Sequence, residues 1–525
     1  MVVATFVVAT LATGGWAHAD APRTPWKAEV APGLTIEREV RHRPDLVVHV
    51  ARVAPGAHFS LRPVLAHDRV GDPTLDREPV SDMCRRAGGI VCVNADFAAC
   101  PTCRAPYGGV MVDDRVLRSF NPAHGQVSQV QGHLTSDMLA WGGTVSASYA
   151  SWRELPGVLG QPPRRVDERT QRDDLPIAGV NIDPVADGIV LYTPDWGGAT
   201  PGAAVQVTIA TPRPVAPGSL PAEIVGRRGG AGPLGNDSVL AGNGRAADQL
   251  AAFADHWRTS DANEKHLVLV TAVSQPASFS VGGHPVLLRR GVRQDWDRRN
   301  DPKAIGRHPR TLLGWNGSGE ILLVTVDGRE HGVSDGLTLD EAADLLRSLG
   351  ATEGINLDGG GSTTFVGPCP SGPCVLNRPS AGRERLVPIA LALVGDRRGL
   401  HPVPQATGTA LLPPAPPTGE DDAASTPHGT VPPVEVAPVT PGAPAAGSDV
   451  ASAADGGDAP TGTFDALGAS RLFGAGPRRQ SSASRAPSRR RPGHSPLPAT
   501  VLAMAAAVAG LSGRPRRRRS RASAE

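Results

Sequence analysis

The chain has 525 residues, a formal net charge of +2, 62 glycines, 51 prolines and only 4% aromatic residues. The length suffices for two or three average domains, and the near-balanced charge points neither toward nor away from nucleic acid. The uneven composition excludes one fold running the full length. After about residue 397, Pro, Ala, Gly, Ser and Thr dominate, and such a stretch cannot bury enough apolar surface to offset the entropy of ordering. Lysine occurs only at Lys27, Lys265 and Lys303, all other basic side chains except histidine being Arg, as a GC-rich genome would produce.

The first 19 residues carry an apolar run, Val2 to Leu11, followed by small residues. Ala17-His18-Ala19 fits a small-x-small cleavage site with Asp20 as the first mature residue. Residues 1–19 are therefore expected to be a signal peptide, although no Lys or Arg precedes the apolar run. Residues 20–79 form the N-terminal part of the folded region.

β-Branched and aliphatic runs bounded by Gly, Pro or Asp predict strands at Leu46–Val53, Gly89–Asn94, Gly109–Val112, Gly188–Tyr192, Val205–Ala210, His266–Val273, Ile321–Val326, Ile355–Leu357 and Val387–Val394. Two helices stand out. Arg245–Trp257 gathers Ala247, Leu250, Ala251 and Ala254 on one face. Leu339–Leu349 places Leu339, Ala342, Ala343 and Leu346 at helical spacing, with Thr338 and Glu341 as a capping box and Gly350 as its stop. Many strands and few helices predict an α+β fold on a large mixed or mostly antiparallel sheet.

The six cysteines fall in three local pairs: Cys84 with Cys92, Cys100 with Cys103, and Cys369 with Cys374. In an oxidising compartment these read as disulfides, though spacing alone does not fix the connectivity. Cys100-Pro-Thr-Cys103 has a redox or zinc alternative, but no second CxxC and no thioredoxin-like context accompany it.

The richest stretch for chemistry is Ile355-Asn-Leu-Asp-Gly-Gly-Gly-Ser-Thr-Thr364. A short strand ends at Asp358, so a rigid element holds a carboxylate at a cleft. Gly359, Gly360 and Gly361 permit backbone conformations in which successive amides converge on an anion, and Ser362 adds a hydroxyl. A tight turn needs the same residues. Two further strands end in acidic or amide groups: Asp327-Gly-Arg329 after Ile321–Val326, and Asn94-Ala-Asp96 after Ile90–Val93. Gly282 and Gly283 form another turn. His308-Pro-Arg-Thr311 offers Arg310 as a planar fork for phosphate, with His308 and Thr311 beside it. Asp-Gly is also the commonest hairpin turn, so Asp327 has a plain structural reading, as does an Asn94 that caps a turn.

The order and wording of these pieces resemble the phosphodiester glycosidase family: Asn94-x-Asp, Gly-Gly before a strand, Gly-Gly-x-Pro, Pro-Arg-Thr, Val-Asp-Gly-Arg, Gly-Leu-Thr-x-x-Glu-x-Ala and Asn-Leu-Asp-Gly-Gly-Gly-Ser. The resemblance spans roughly residues 80–397 and is tightest from Arg310 to Thr364. His284 stands where many members carry Gly, and Asn94-Ala-Asp96 replaces a commoner loop. The resemblance implies a single catalytic domain at 80–397 that hydrolyses a sugar–phosphate diester at its glycosidic C–O bond. The implied substrate resembles an N-acetylglucosamine-1-phosphodiester and is expected in cell-envelope glycopolymer. Asp358 is the first choice of catalytic carboxylate, followed by Asp327 and Asp96. Arg310 and the Gly359–Gly361 amides are expected to stabilise the departing phosphate, with Asn94, Gly282, Gly283, His308, Thr311 and Ser362 lining the substrate. No cofactor is implied. A divalent cation gathered by the acidic strand ends, serving a metal-assisted phosphodiesterase, is one alternative, though no His-rich ligand set appears; a non-catalytic glycopolymer-binding domain is the other.

Residues 398–496 read as a disordered Pro/Ala/Gly/Ser-rich linker. Residues 497–511 are apolar, short against the ~20 residues of a spanning helix, and the basic segment 512–525 follows. A closing basic cluster is oriented to the cytoplasm. Leu497-Pro-Ala-Thr500 resembles the start of a sortase sorting signal, with Val501 where that signal has Gly. The expected localisation is secreted and tethered to membrane or cell wall. Arg489–Arg491 and Arg516–Arg519 have an alternative role in nonspecific binding of anionic polymers, and no specific nucleic-acid partner is expected.

Overall fold

A computed structural model describes residues 24–100, 102–157, 162–295 and 305–404. The expected signal peptide, the expected anchor segment 497–511, the basic end and all of the expected linker beyond residue 404 lie outside the described residues.

The fold is dominated by antiparallel strands with three α-helices among the described residues, in keeping with the expected class. One eight-stranded sheet runs, edge to edge, through Trp26–Ala31, Leu34–Arg41, Leu46–Val53, Ile321–Val326, Arg310–Trp315, Glu353–Asn356, Val286–Arg289 and Val292–Arg293. A five-stranded sheet orders Gly372–Val375, Phe365–Cys369, Val91–Asn94, Ile389–Gly395 and Phe59–Leu65.

These two sheets pack face to face because strand side chains alternate between faces. Ala51, Val53, Leu313, Leu323 and Ile355 of the first meet Val91, Val93, Phe365, Leu391 and Leu393 of the second in one core. The outer face of the first, including Val48, Val50, Leu312 and Val324, is covered by the helix Leu339–Ser348. The outer face of the second, including Cys92, Val366 and Ala392, is covered by the helix Val80–Ala87. The result is a helix–sheet–sheet–helix sandwich. The capping box of Leu339–Ser348 is present, with Glu341 N donating to Thr338 Oγ1 and Thr338 N donating to Glu341 Oε2.

A further five-stranded sheet contains Val110–Val112, Ala277–Gly282 and Gln126–Val130. A second eight-stranded sheet carries a hairpin of Trp141–Leu155 and Arg164–Ile177 that the sequence did not announce. Its outer strand is mostly polar, and even its less exposed face carries Gln171 and Asp173 before Leu175 and Ile177, so most of it lacks the apolar alternation or run that marks a strand. The helix Arg245–Thr259 packs on this sheet through Leu250, Phe253 and Ala254.

The cysteines pair locally as Cys84–Cys92, Cys100–Cys103 and Cys369–Cys374. The folded chain continues past residue 397: His401 N donates to Val30 O, Val403 N donates to Pro368 O, and the Val403 side chain is buried. Among the described residues no helix is long and apolar enough to cross a membrane.

Candidate active site

Three sheets bring their ends together at Asp358. The strand Glu353–Asn356 delivers it from the first sheet, and Val91–Asn94 delivers Asn94 from the second. Asn94 is fully buried and acts as a clip. Its Nδ2 donates to Asp358 O at 2.6 Å, while its Oδ1 accepts from Thr311 Oγ1 at 2.7 Å and Thr364 N at 3.1 Å. Asp358 N in turn donates to Ala95 O. Asn94 and Thr311 thus hold the backbone of the loop, with their polar atoms spent on that task.

Asp358 lies half-buried at the start of the glycine loop. Burial pushes its carboxyl up to about 6, and the negative charge of Asp96 adds to the rise; hydrogen bonds from Ser362 and the Gly359 amide, and the charge of Arg385, oppose it. Two guanidiniums border the loop. A methyl group on Gly360 would lie 3.0 Å from Arg329 Nη2, and one on Gly361 would lie 2.6 Å from Arg385 Nη2. Gly360 also has φ +60°, a conformation that disfavours side chains. Burial lowers the Arg329 pKa, and the like charge of Arg385 lowers it further. His308 is close by, with Nδ1 3.4 Å from Arg329 Nη2.

The loop amides behave differently from the sequence expectation. Gly359 N donates to Asp358 Oδ1 at 2.9 Å, and Gly360 N donates to Pro309 O at 2.9 Å. Two of the three amides expected to cradle an anion therefore serve the loop itself. Arg310 is likewise turned to structure. It is 6% exposed, and its guanidinium donates to Leu337 O at 2.8 Å and Gly306 O at 3.1 Å. Buried carbonyls need donors, and the buried first residue of a strand is well placed to supply them. The cations beside the loop are Arg329 and Arg385.

Asp327 is 4% exposed and knitted inward. Its Oδ1 accepts from Asn377 Nδ2 at 3.0 Å, and both oxygens lie 3.2 Å from Arg378 N. Burial pushes it up to about 7, with the Asn377 and Arg378 hydrogen bonds opposing.

Asp96 is also buried, but it has a histidine partner. Its Oδ1 lies 2.7 Å from His124 Nε2 and accepts from Phe97 N, while Oδ2 accepts from Gly108 N. Gly282 is needed for this packing, since a methyl group there would lie 2.2 Å from Asp96 Oδ2. Gly283 is as constrained, its methyl position lying 2.9 Å from Asn356 O. His124 stacks on His284 with centroids 5.7 Å apart and meets Tyr107 edge-on at 4.9 Å. His284 and Tyr107 are exposed, so an aromatic surface borders the buried Asp96–His124 pair.

Sequence reasoning missed Arg329, Arg385, His124 and Tyr107. Arg329 stood inside the quoted Val-Asp-Gly-Arg and was legible. Arg385 sits in Gly-Arg-Glu-Arg-Leu, where nothing separates it from a surface charge. His124 lies 28 residues from Asp96, and only the fold joins them. Among the described residues no group of three or more His, Cys, Asp or Glu side chains is placed to hold a metal ion.

Comparison with known proteins adds a match to a family model. Residues 222–394 match the phosphodiester glycosidase family model. A stretch of 57 residues is 44% identical to the N-acetylglucosamine-1-phosphodiester alpha-N-acetylglucosaminidase of Mus musculus, covering 11% of this chain and 11% of that protein. The chain thus spans about a tenth of the curated relative it matches. The crystal structure of a hypothetical protein from Synechocystis is similar in fold, with a TM-score of 0.51 and 20% identity over 72% of this chain and 65% of that one. The zebrafish N-acetylglucosamine-1-phosphodiester alpha-N-acetylglucosaminidase catalytic domain, auto-inhibited by its pro-peptide, gives a TM-score of 0.34 and 14% identity over 72% of this chain and 85% of that one. The resemblance read from the sequence therefore holds, and the matched segment contains Asp327, Arg329, Asp358 and Arg385 but not Asp96 or His124.

Proposed function

We propose, from a chain whose residues 222–394 match the phosphodiester glycosidase family, that it hydrolyses a sugar–phosphate diester at the glycosidic C–O bond. The family supports a hydrolase of phosphodiester-linked sugar. The observation that carries the finer reading is the placement of Asp358 at a strand end with Arg329 and Arg385 bordering its glycine loop. A phosphate monoester leaving group has a second pKa of ~6, so its departure depends on charge stabilisation more than on a proton. Two guanidiniums supply that stabilisation. The Asp358 carboxylate, ionised above about pH 6, faces the electron-poor anomeric carbon as nucleophile, ion-pair partner or base toward water.

Asp327 takes a positioning role in this reading, because its oxygens already serve Asn377 and Arg378. Asp96 orients His124, and the exposed His284 and Tyr107 offer flat surfaces to a sugar ring. His308, Ser362, Gly282 and Gly283 remain assigned to the substrate side of the cleft. Export and surface tethering, with envelope glycopolymer as the substrate, are part of the proposal. Ala17-His18-Ala19, the three local cysteine pairs and the apolar run closed by Arg516–Arg519 support them.

The test is turnover of N-acetylglucosamine-1-phosphodiesters in ¹⁸O-labelled water by wild type and Asp358→Asn. The expected result is label in the released sugar, with the variant inactive. Label in the phosphate would make the protein a phosphodiesterase acting at P–O. Binding of every diester without turnover would make it a glycopolymer-binding domain.

A further inference from the structure

The first sheet has a second indented end. Opposite the glycine loop lies an open cleft of about 520 Å³, walled by Trp315 and Asn316 at the end of one strand, by Arg289 and Arg290 at the end of another, and by Glu353 at the start of a third. The hairpin of Gln126–Val130 and His133–Thr135 closes its other side. Glu353 precedes Asp358 by five residues of nearly extended chain, about 16 Å at ~3.3 Å per residue. The cleft is therefore separate from the reacting centre, and its size suits a small ligand.

Its charges define what fits. Asp137, Glu320 and Glu353 contribute three carboxylates against the two guanidiniums of Arg289 and Arg290. Arg289 is occupied, donating to Asp137 Oδ1 at 2.8 Å and Ser136 O at 3.0 Å. Glu320 is fixed by Arg52 Nη1 at 2.7 Å and Asn316 Nδ2 at 3.0 Å, and Glu353 Oε1 accepts from Arg290 N at 2.7 Å. No surplus of positive charge is left for a phosphate or uronate. Fixed planar carboxylates remain as acceptors, with the Arg290 guanidinium as a donor, while the Asn316 amide is spent on Glu320 and Gly350 O and Trp315 lies buried beneath. This lining suits vicinal hydroxyl groups, each of which donates and accepts.

We infer that this cleft is a binding site for a neutral saccharide, which would hold a glycan chain away from the reacting bond. The inference is independent of the role given to Asp358. Isothermal titration of the full chain with chitotetraose, cellotetraose and mannotetraose tests it, with inorganic phosphate and glucuronate as anionic probes. Gly317→Tyr is the blocking variant: Gly317 lines the cleft, its φ is outside the left-handed region, and no atom lies within 4 Å of its methyl position. At least one tetrasaccharide should bind wild type, and Gly317→Tyr should weaken it by about tenfold or more, a shift of 1.4 kcal/mol. Arg290→Gln should weaken it too. Tm of both variants and sugar release from a small diester should stay at the wild-type value. Binding of none of the saccharides, binding unchanged in Gly317→Tyr, or preferential binding of phosphate or glucuronate would overturn the inference.

Discussion

Asp327 and Asp358 end two strands of the same sheet, separated by the single strand Arg310–Trp315. Burial raises both carboxyls, to about 7 and about 6. They differ in what surrounds them. Asp327 receives an asparagine amide and a backbone N–H from its own fold. Asp358 receives its own loop amide and a serine, and faces a loop bordered by two guanidiniums. A shifted pKa thus marks both residues, and only the surroundings separate an internal tie from the proposed catalyst.

The sharpest way to break this comparison is to neutralise each in turn. Asp358→Asn should lower kcat/KM by roughly 10³-fold or more, the scale of losing a carboxylate at the reacting carbon, with Tm unchanged or raised. Asp327→Asn should keep activity within about tenfold, since its carbonyl can still accept from Asn377 and Arg378. Steady-state kinetics on the two variants decides the matter. Equal losses, with both proteins folded, would dissolve the distinction.

Arg385→Gln tests the surroundings. The Arg385 charge pulls the Asp358 carboxyl down against its burial. Removing it should move the ascending limb of kcat/KM from about pH 6 toward higher pH, because the carboxyl then ionises later. The rate on the plateau should fall by about 10–100-fold through lost phosphate stabilisation. An unmoved limb with a lower plateau would place Arg385 on the phosphate alone.

The glycines sharpen it further. A methyl on Gly359 would lie 2.8 Å from Pro309 O, a backbone atom, whereas one on Gly361 meets the mobile end of Arg385 at 2.6 Å. Gly359→Ala should therefore cost roughly 1–3 kcal/mol of stability. Gly361→Ala should leave Tm nearly unchanged while lowering activity several-fold by displacing the guanidinium. Denaturant titration and kinetics on the pair separate a glycine kept for packing from one kept for a charge.

Much of this was legible in the sequence, for local reasons. Strands rich in Val, Ile and Leu, such as Leu46–Val53 and Ile321–Val326, announce themselves because they are buried on both faces between a sheet and a helix. The capping box at Thr338 and the strand ends at Asp327 and Asp358 are also contiguous patterns. What was hidden depends on chain-distant meetings. Arg385 reaches the loop from a stretch with no apolar pattern, and His124 finds Asp96 only when the end of Val91–Asn94 meets the third sheet. Arg310 and the Gly359 and Gly360 amides misled for the opposite reason. Their residue types suit an anion, but the fold's own carbonyls and the Asp358 carboxylate claim their donors first.

The smallest effect is on stability, and its sign follows from the direction of the shift. Asp327 binds its proton more tightly in the folded state, at about 7 against an ordinary aspartate value of 3.8. Between those pH values the folded protein holds more protons than the unfolded chain, so unfolding free energy falls as pH rises and levels off above about pH 7. Protonated Asp327 is thus the stable form, and ionising it costs roughly 2–4 kcal/mol. Asp327→Asn removes that titration. Its stability curve between pH 4.5 and 8 should be flatter than that of wild type, and the variant should gain on wild type as pH rises. Asp358→Asn should flatten only the part below about pH 6. Urea titrations at pH 4.5, 6 and 8 read both effects. A wild-type protein that becomes more stable from pH 4.5 to 8, while Asp327→Asn does not, would mean that Asp327 is held as a carboxylate by Asn377 and Arg378 and that burial is the lesser force there.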